Sequence, residues 1–327
     1  MARQRRGRIL AAERGQGCVM AETEALPPGT TALALDRFPR ITLCHGPTPI
    51  EAMPRLGEEL GDPSLFVKRD DCTGLATGGN KTRRQEFLVG EALRETADMR
   101  VTQGAVQSSH VRQTAAAACK IGMKHHALLE RRMPDRDAGY EKTGAVLLDE
   151  LFGATYEFRP GGLDTNAEAA NLARGLPAQG HRPYFIPGGG SNPTGALGYV
   201  ECAREIVHNM AETGQRFDWL VTATGSTGTQ AGLVAGFHAL GDALPVMGVS
   251  VRRPRDRQMS AVHALTQKTL EKLGAAAFRA AGFSSMTAMW GRVTGFRPRA
   301  RWRRSASPRG SRVFCSTRSI RPRAWPG

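Results

Sequence analysis

Thr77-Gly78-Gly79-Asn80-Lys81-Thr82-Arg83-Arg84 sets one lysine directly behind two glycines and an asparagine. The run that follows, Gln85-Glu86-Phe87-Leu88-Val89-Gly90-Glu91-Ala92-Leu93, has the apolar spacing of an amphipathic helix, so a helix is predicted to open just behind Lys81. Gly78 and Gly79 let the backbone come close to a planar ligand. An amine at a helix N-terminus, where backbone N–H groups gather positive charge, loses its proton more readily and becomes a better nucleophile. Short motifs of this kind also occur as solvated loop lysines. The choice between the two readings falls to a second motif.

That motif is Thr222-Ala223-Thr224-Gly225-Ser226-Thr227-Gly228-Thr229-Gln230-Ala231-Gly232. It follows the apolar run Trp219-Leu220-Val221, read as a buried strand, and precedes Leu233-Val234-Ala235-Gly236-Phe237, read as a helix. A strand, a Gly/Ser/Thr loop and a helix N-terminus aim several N–H groups and hydroxyls at one anion. No Gly-Lys-Ser/Thr closes it as a Walker loop, and the G-x-G-x-x-G spacing of a dinucleotide site is absent, which leaves a phosphate monoester. Pyridoxal 5'-phosphate carries both an aldehyde for Lys81 and a phosphate for this loop.

With these residues in view, the chain resembles the fold-type II pyridoxal-phosphate enzymes. Within them it is similar to the group holding D-cysteine desulfhydrase, 1-aminocyclopropane-1-carboxylate deaminase and L-cysteate sulfo-lyase. The resemblance spans about residues 35–274. It rests on Arg37-Phe38-Pro39-Arg40, Pro47-Thr48-Pro49-Ile50-Glu51, Val67-Lys68-Arg69-Asp70-Asp71, the Lys81 segment, Gly104-Ala105-Val106-Gln107-Ser108-Ser109-His110, Ile186-Pro187-Gly188-Gly189-Gly190-Ser191-Asn192 and the Gly225 loop. Asp71-Cys72-Thr73-Gly74-Leu75, Arg159-Pro160-Gly161-Gly162 and the stretch from Pro187 to Tyr199 look closest to L-cysteate sulfo-lyase.

The resemblance implies an α/β, two-domain architecture like that of the tryptophan synthase β subunit. Residues 20–84 and 196–274 would build the larger, cofactor-binding domain and residues 85–195 the smaller one, in a cytoplasmic homodimer. Lys81 would be the Schiff-base lysine, and Ser108 would act beside a small amino-acid substrate. Asn80, Ser109, Gly225, Ser226, Thr227, Gly228 and Thr229 would hold the cofactor. His110 is a candidate substrate contact, with a hydrogen-bonded structural role as the alternative. Ser109 stands where the family has an asparagine that bonds the cofactor ring oxygen, and a shorter hydroxyl reaches that oxygen only through water. Lys68-Arg69-Asp70-Asp71 reads as a solvated or salt-bridged strand end.

The implied reaction is β-elimination from L-cysteate, giving pyruvate, sulfite and ammonia. D-cysteine desulfhydration and 1-aminocyclopropane-1-carboxylate deamination are the alternatives. Donors for a sulfonate would come from Ser108, Ser109, Thr73 or a nearby arginine. Six scattered cysteines, with no C-x-x-C pair, indicate neither a metal site nor a disulfide framework and fit a reducing compartment.

The net charge of +15 on 327 residues would point to nucleic acid if it were spread over the fold. It is concentrated at the ends. Residues 1–19 hold five arginines against Glu13, residues 282–327 hold eleven arginines with no lysine or acid, and residues 20–281 carry no net charge. Specific nucleic-acid binding is therefore not expected of the body. The leader has no apolar stretch for a signal peptide or membrane span, and Met20 reads as the true start after a disordered segment.

From about residue 275 the likeness stops and the composition turns to Arg, Ser, Pro and Gly, as expected of an aberrant, disordered tail. Permitted codons for residues 282–298, read from the third base of each into the next, give Val-Leu-Val-Asp-Asp-Gly-Tyr-Val-Gly-Pro-Gly-Tyr-Gly-Leu-Pro-Thr. The same offset over residues 314–327 permits Leu-Leu-Asp-Pro-Val-Tyr-Thr-Ala-Lys-Gly-Met-Ala-Gly. Both look like the family's C-terminal motifs, in the family's order, which implies a one-base loss between about residues 274 and 282. The family part so lost supplies substrate-side tyrosines and a Thr-Gly-Gly segment facing the pyridine nitrogen. A frameshifted, inactive product whose basic tail binds acidic polymers non-specifically is the competing reading. Sequencing the gene across this interval is expected to reveal the loss, and a frame-restored chain to gain soluble yield and bound cofactor. An intact frame in independent reads, or equal yields from the two chains, contradicts the expectation.

Overall fold

Apolar runs alternate with helical periods along the chain, and the strands they form collect into two sheets. The computed structural model describes residues 33–61, 64–133 and 136–278, together with the backbone of two further strands. The first elements are β1 (Ile50–Ala52), α1 (Pro54–Leu60), β2 (Leu65–Lys68) and α2 (Thr82–Arg94). Next come β3 (Met99–Ala105), α3 (Ser109–Lys120), β4 (Lys124–Glu130), α4 (Ala145–Leu151), β5 (Thr155–Arg159), α5 (Thr165–Gly175) and β6 (Pro183–Ile186). The chain continues through α6 (Pro193–Thr213), β7 (Trp219–Thr224), α7 (Gly228–Ala239), β8 (Val246–Ser250), α8 (Arg255–Leu273), β9 (Thr287–Trp290) and β10 (Arg312–Cys315).

The smaller sheet has the order β5-β4-β3-β6 and is parallel throughout. Its strands alternate their burial between two faces. Val101 and Leu128 pack against Ala169, Ala173 and Leu176 on the α5 side, and Ala127 and Leu129 pack against Val111 and Val146 on the α3 and α4 side. Parallel strands covered on both faces usually read as continuous apolar runs, but β3 and β4 carry buried polar residues as well, Arg100, Thr102 and Gln103 in β3 and His125 in β4.

The larger sheet has the order β1-β2-β10-β7-β8-β9, parallel except for the β1–β2 pair. Helix α7 is apolar on all sides. It is buried in a core that includes Tyr199, Val200 and Ile206 of α6, Leu220 and Val246 of the sheet, and Val262 and Leu270 of α8. Gly198 of α6 lies so close to α2 that a Cβ there would fall 2.2 Å from the Arg83 carbonyl oxygen. This contact sets the helix that begins behind Lys81 directly on α6.

The Arg-rich tail is not wholly outside the fold. Phe278 is 7% exposed, and Gln267 of α8 holds both its N–H (3.2 Å) and its carbonyl (3.0 Å). Residues 287–290 form β9 beside β8, and residues 312–315 form β10 between β2 and β7. The physical reason is backbone pairing, since β2 and β7 would otherwise leave two ladders of N–H and C=O groups unsatisfied. The expected disordered leader at residues 1–19, and the rest of the tail, lie outside the described residues. Among the described residues no helix is long and apolar enough to cross a membrane.

Lys68-Arg69-Asp70-Asp71 divides by strand alternation. Arg69 pairs with Asp71 (2.9 Å) and Glu51 (2.6 Å) toward the surface, as a salt-bridged strand end should. Lys68 and Asp70 turn inward and are 1% and 0% exposed, so of the two alternatives read for the segment, solvated or salt-bridged, these two residues take the second. Lys68 Nζ donates to Glu205 Oε2 (2.5 Å) and Thr48 Oγ1 (2.7 Å). The Arg83 guanidinium donates to both Glu205 oxygens (2.7 and 2.8 Å) and to Asp70 Oδ1 (3.0 Å).

Burial by itself would raise the Glu205 pKa, but the charges and hydrogen bonds of Arg83 and Lys68 outweigh it and hold the carboxyl at about 2. Because the folded pKa is depressed, the stability this group contributes is present above its ordinary value of 4.5 and is lost as pH falls toward 2. Glu205→Gln is expected to cost about 3 kcal/mol at neutral pH and progressively less in acid. Urea denaturation of both proteins at neutral and acid pH measures the difference, and equal losses at the two would remove Glu205 from this role.

Candidate active site

Lys81 is the N-cap of α2. Its Nζ donates to Asn80 Oδ1 (2.7 Å), and Asn80 Nδ2 donates to Thr229 Oγ1 (3.3 Å) at the start of α7. One side chain thus joins the two motifs, which lie 149 residues apart in sequence. Asn80 is 1% exposed, so its bond to Thr229 is shielded from water, whereas the Lys81 end is half-buried.

A second link runs to the first turns of α3. Gln113 Oε1 accepts from the Thr82 N–H (2.7 Å) and hydroxyl (3.0 Å), and Gln113 Nε2 donates to the Ser109 carbonyl (2.9 Å). Gly79 is required at this crossing. Its φ is +118°, and a Cβ there would fall 2.6 Å from Gln113 Nε2. Ser108 caps α3 by accepting from the Val111 N–H (3.2 Å), which leaves its own O–H to donate. Gln107 is committed elsewhere. It holds the carbonyls of Tyr140 (2.6 Å) and Thr143 (2.9 Å) and the N–H of Ala145 (2.8 Å).

The Gly225 loop is shaped as an anion cradle. Thr227, the N-cap of α7, has φ 55°, a backbone that L residues resist. Arg84, one turn into α2, lays its guanidinium across the loop. Nη2 donates to Thr229 Oγ1 (2.5 Å), and Nη1 donates to Ser191 Oγ (3.2 Å) and the Gly189 carbonyl. A Cβ on Gly228 would sit 3.0 Å from both Arg84 Nη1 and Ser191 Oγ. Lys81 bonds an amide oxygen, and Arg84 bonds hydroxyl and backbone carbonyl oxygens. Two cations, hydroxyls and a helix N-terminus gathered at one place suit a phosphate monoester beside an aldehyde, so the residues fit pyridoxal phosphate.

His110, on α3, is buried against β3 of the smaller sheet. The Thr102 hydroxyl donates to the Ile186 carbonyl (2.6 Å), so its oxygen accepts from His110 Nε2 (2.9 Å), and the ring is the Nε2–H tautomer. Burial, followed by the charges of Lys81, Arg84 and Arg100, holds its pKa well below the usual value, so the ring is neutral. Nδ1 is left as a buried lone pair with no hydrogen-bond partner among the described residues.

Sequence reasoning named Asn80, Lys81, Ser108, Ser109, His110 and the Gly225–Thr229 run, and the structure brings Asn80, Lys81 and Thr229 into one bonded group. It missed Arg84, Gln113 and Ser191. Arg84 lies inside the quoted Lys81 motif, three residues on, where the helical period turns it to the same end of α2. That spacing was the available signal.

These features define a pyridoxal-phosphate-dependent enzyme of the α/β class. A family model described as "Pyridoxal-phosphate dependent enzyme" matches residues 41–289, and the chain belongs to that family. The D-cysteine desulfhydrase of Klebsiella pneumoniae is 47% identical over 239 residues, covering 73% of this chain and 72% of that protein. The D-cysteine desulfhydrase of Salmonella typhi is 46% identical over 233 residues, covering 71% and 70%. A solved structure of an ACC deaminase homologue has a TM-score of 0.70 at 34% identity, over 81% of this chain and 77% of the other.

Gly79→Ala is expected to weaken pyridoxal-phosphate binding by roughly tenfold or more, because the added Cβ must displace Gln113 and adopt a forbidden φ. A fluorescence titration of the cofactor measures it, and unchanged affinity would mean the Gln113 crossing does not shape the site.

Proposed function

We propose that the chain is a carbon–sulfur lyase that removes the β-sulfur substituent of an amino acid, with D-cysteine as the substrate the site suits best. The observation that carries the reading is the junction of Lys81 with Thr229 through Asn80, because it sets a reactive amine beside an anion cradle. When bound, pyridoxal phosphate supplies the covalent handle for the substrate amine and the electron sink for the carbanion.

Lys81 Nζ would attach the cofactor and, once displaced by the substrate amine, take the α-proton. Arg84, Ser191 and Thr229 would hold the phosphate end and so fix the distance of the aldehyde from Lys81. Ser108, on the α3 cap, would orient the substrate through its free O–H. Loss of the β-substituent and addition of water give pyruvate, ammonia and sulfide from D-cysteine, or sulfite from L-cysteate.

The choice between these substrates turns on donors. A sulfonate presents three acceptor oxygens and a permanent charge. Thr73 is 0% exposed, and its hydroxyl is within bonding distance of Gly79 O (2.8 Å) and Thr82 Oγ1 (3.0 Å), not open to a substrate. Arg159 is held by Glu157 (2.8 Å) and Glu168 (3.0 Å). Arg84 is committed to the cradle, and Arg112 to the carbonyls of the Lys81 loop. Among the described residues this leaves Ser108, Ser109 and, in the cleft beside Ser191 and Ser226, Arg252 and Arg253, whereas a thiol needs no such set of donors. The desulfhydrase relatives support the same order. L-cysteate is kept as the second reading on the strength of the motifs around Cys72 and Pro187.

Lys81→Ala is expected to abolish any borohydride-trappable cofactor adduct and all turnover, and a trapped adduct in that variant would refute the assignment. With the unaltered chain, pyruvate formed together with sulfide from D-cysteine is the expected result. Sulfite release from L-cysteate at a higher kcat/KM would reverse the substrate order.

A further inference from the structure

One buried carboxylate takes no part in the site described above. Asp149 of α4 is 1% exposed, and neither of its oxygens has a hydrogen-bond partner among the described residues. Such a group is costly unless it is neutral or acquires a partner.

Arg112 of α3 gives its donors to the loop that leads to Lys81. Its Nη1 donates to the Ala76 carbonyl and the Thr77 hydroxyl, and its Nη2 donates to the Gly78 carbonyl (3.0 Å). That loop needs holding, because Ala76, Thr77 and Gly78 have φ of 48°, 66° and 75° in succession, and two of the three carry side chains. Gly79 and Asn80 alone separate it from Lys81.

The groups that act on Asp149 are few. From α3 the facing charge is Arg112. From β5 it is Tyr156, whose phenol donates to Glu150 of α4 itself. The segment Leu75–Thr77, which packs on α3, brings no titratable side chain.

We propose that Asp149 and Arg112 form a proton-operated latch on the loop that carries Lys81. With the Asp149 carboxyl protonated, Arg112 gives its donors to the loop carbonyls. When the carboxyl releases its proton to solvent, the buried charge recruits the guanidinium and the loop slackens. Burial pushes Asp149 up to about 7, with Arg112 pulling the other way, so the latch would turn in the neutral range. Its meaning for catalysis rests on the role of Lys81 proposed above, whereas its operation does not.

The test is amide hydrogen exchange of residues 74–81 in the full chain without cofactor, from about pH 5.5 to about pH 8.5, corrected for intrinsic exchange. The unaltered chain is expected to lose roughly tenfold protection in this segment on passing pH 7. Asp149→Asn should stay latched across the range, and Arg112→Lys should be unprotected throughout. The same step in Asp149→Asn as in the unaltered chain, or no step in the unaltered chain, would overturn the latch. A carboxyl-carbon NMR titration of the unaltered chain gives the Asp149 midpoint even if the variants fold poorly, and a midpoint in the ordinary aspartate range would also overturn it. Because exchange is read without cofactor, failure here is distinguishable from failure of the Lys81 assignment.

Discussion

Arg83 stands two residues beyond Lys81, in the first turn of α2, and is buried among Asp70, Glu205 and Thr48. Removing such a charge from water costs several kcal/mol, so the arrangement holds only with every partner in place. With Lys68 the cluster has two cations and two carboxylates and is neutral as a set. It ties β2, α2 and α6 together, and the Tyr199 hydroxyl extends it by donating to Asp70 Oδ2 (2.9 Å) while lying 3.3 Å from the Asn80 carbonyl. The orientation of Lys81 follows. Helix α2 cannot turn on α6 without breaking an ion pair, and at Gly198 the two helices leave no room for a side chain.

The two sides of α2 follow opposite electrostatic rules. On one, the charges of Arg83 and Lys68 are matched by carboxylates. On the other, Arg84 and Lys81 bond to neutral groups, and His110 stays uncharged because burial and those cations both oppose its protonation. Cations, hydroxyls and a helix N-terminus gathered at that second face make a place for an anion. The smaller sheet contributes through Gln113 and the α3 cap, and the larger through the Gly225 loop, so the site forms where the two meet.

Charge along the chain tells a different story from charge in the fold. The +15 total belongs to the ends, while residues 20–281 are neutral. Yet short pieces of the basic tail enter the larger sheet as β9 and β10, and Phe278 packs its ring on His238 with centroids 3.9 Å apart. Strand pairing is a backbone property. A gap between β2 and β7 accepts a segment whose composition would not otherwise place it there.

The sequence by itself determined the α/β alternation, the helix behind Lys81 and the strand-loop-helix at Gly225, because apolar period and glycine placement are local signals. It also pointed to Lys81, Asn80 and Thr229, since aldehyde and phosphate chemistry each demand a particular residue type. Only the tertiary structure decided that Asn80 joins the two motifs, that Gln113 is why Gly79 is glycine, and that Lys68 and Asp70 face inward while Arg69 and Asp71 face out. It also withdrew Thr73 and Arg159 from the substrate by giving them other partners. Residue type states what a side chain can bond, and packing decides which bond it makes, as for Asn80 and Arg83, whose partners lie 149 and 122 residues away along the chain.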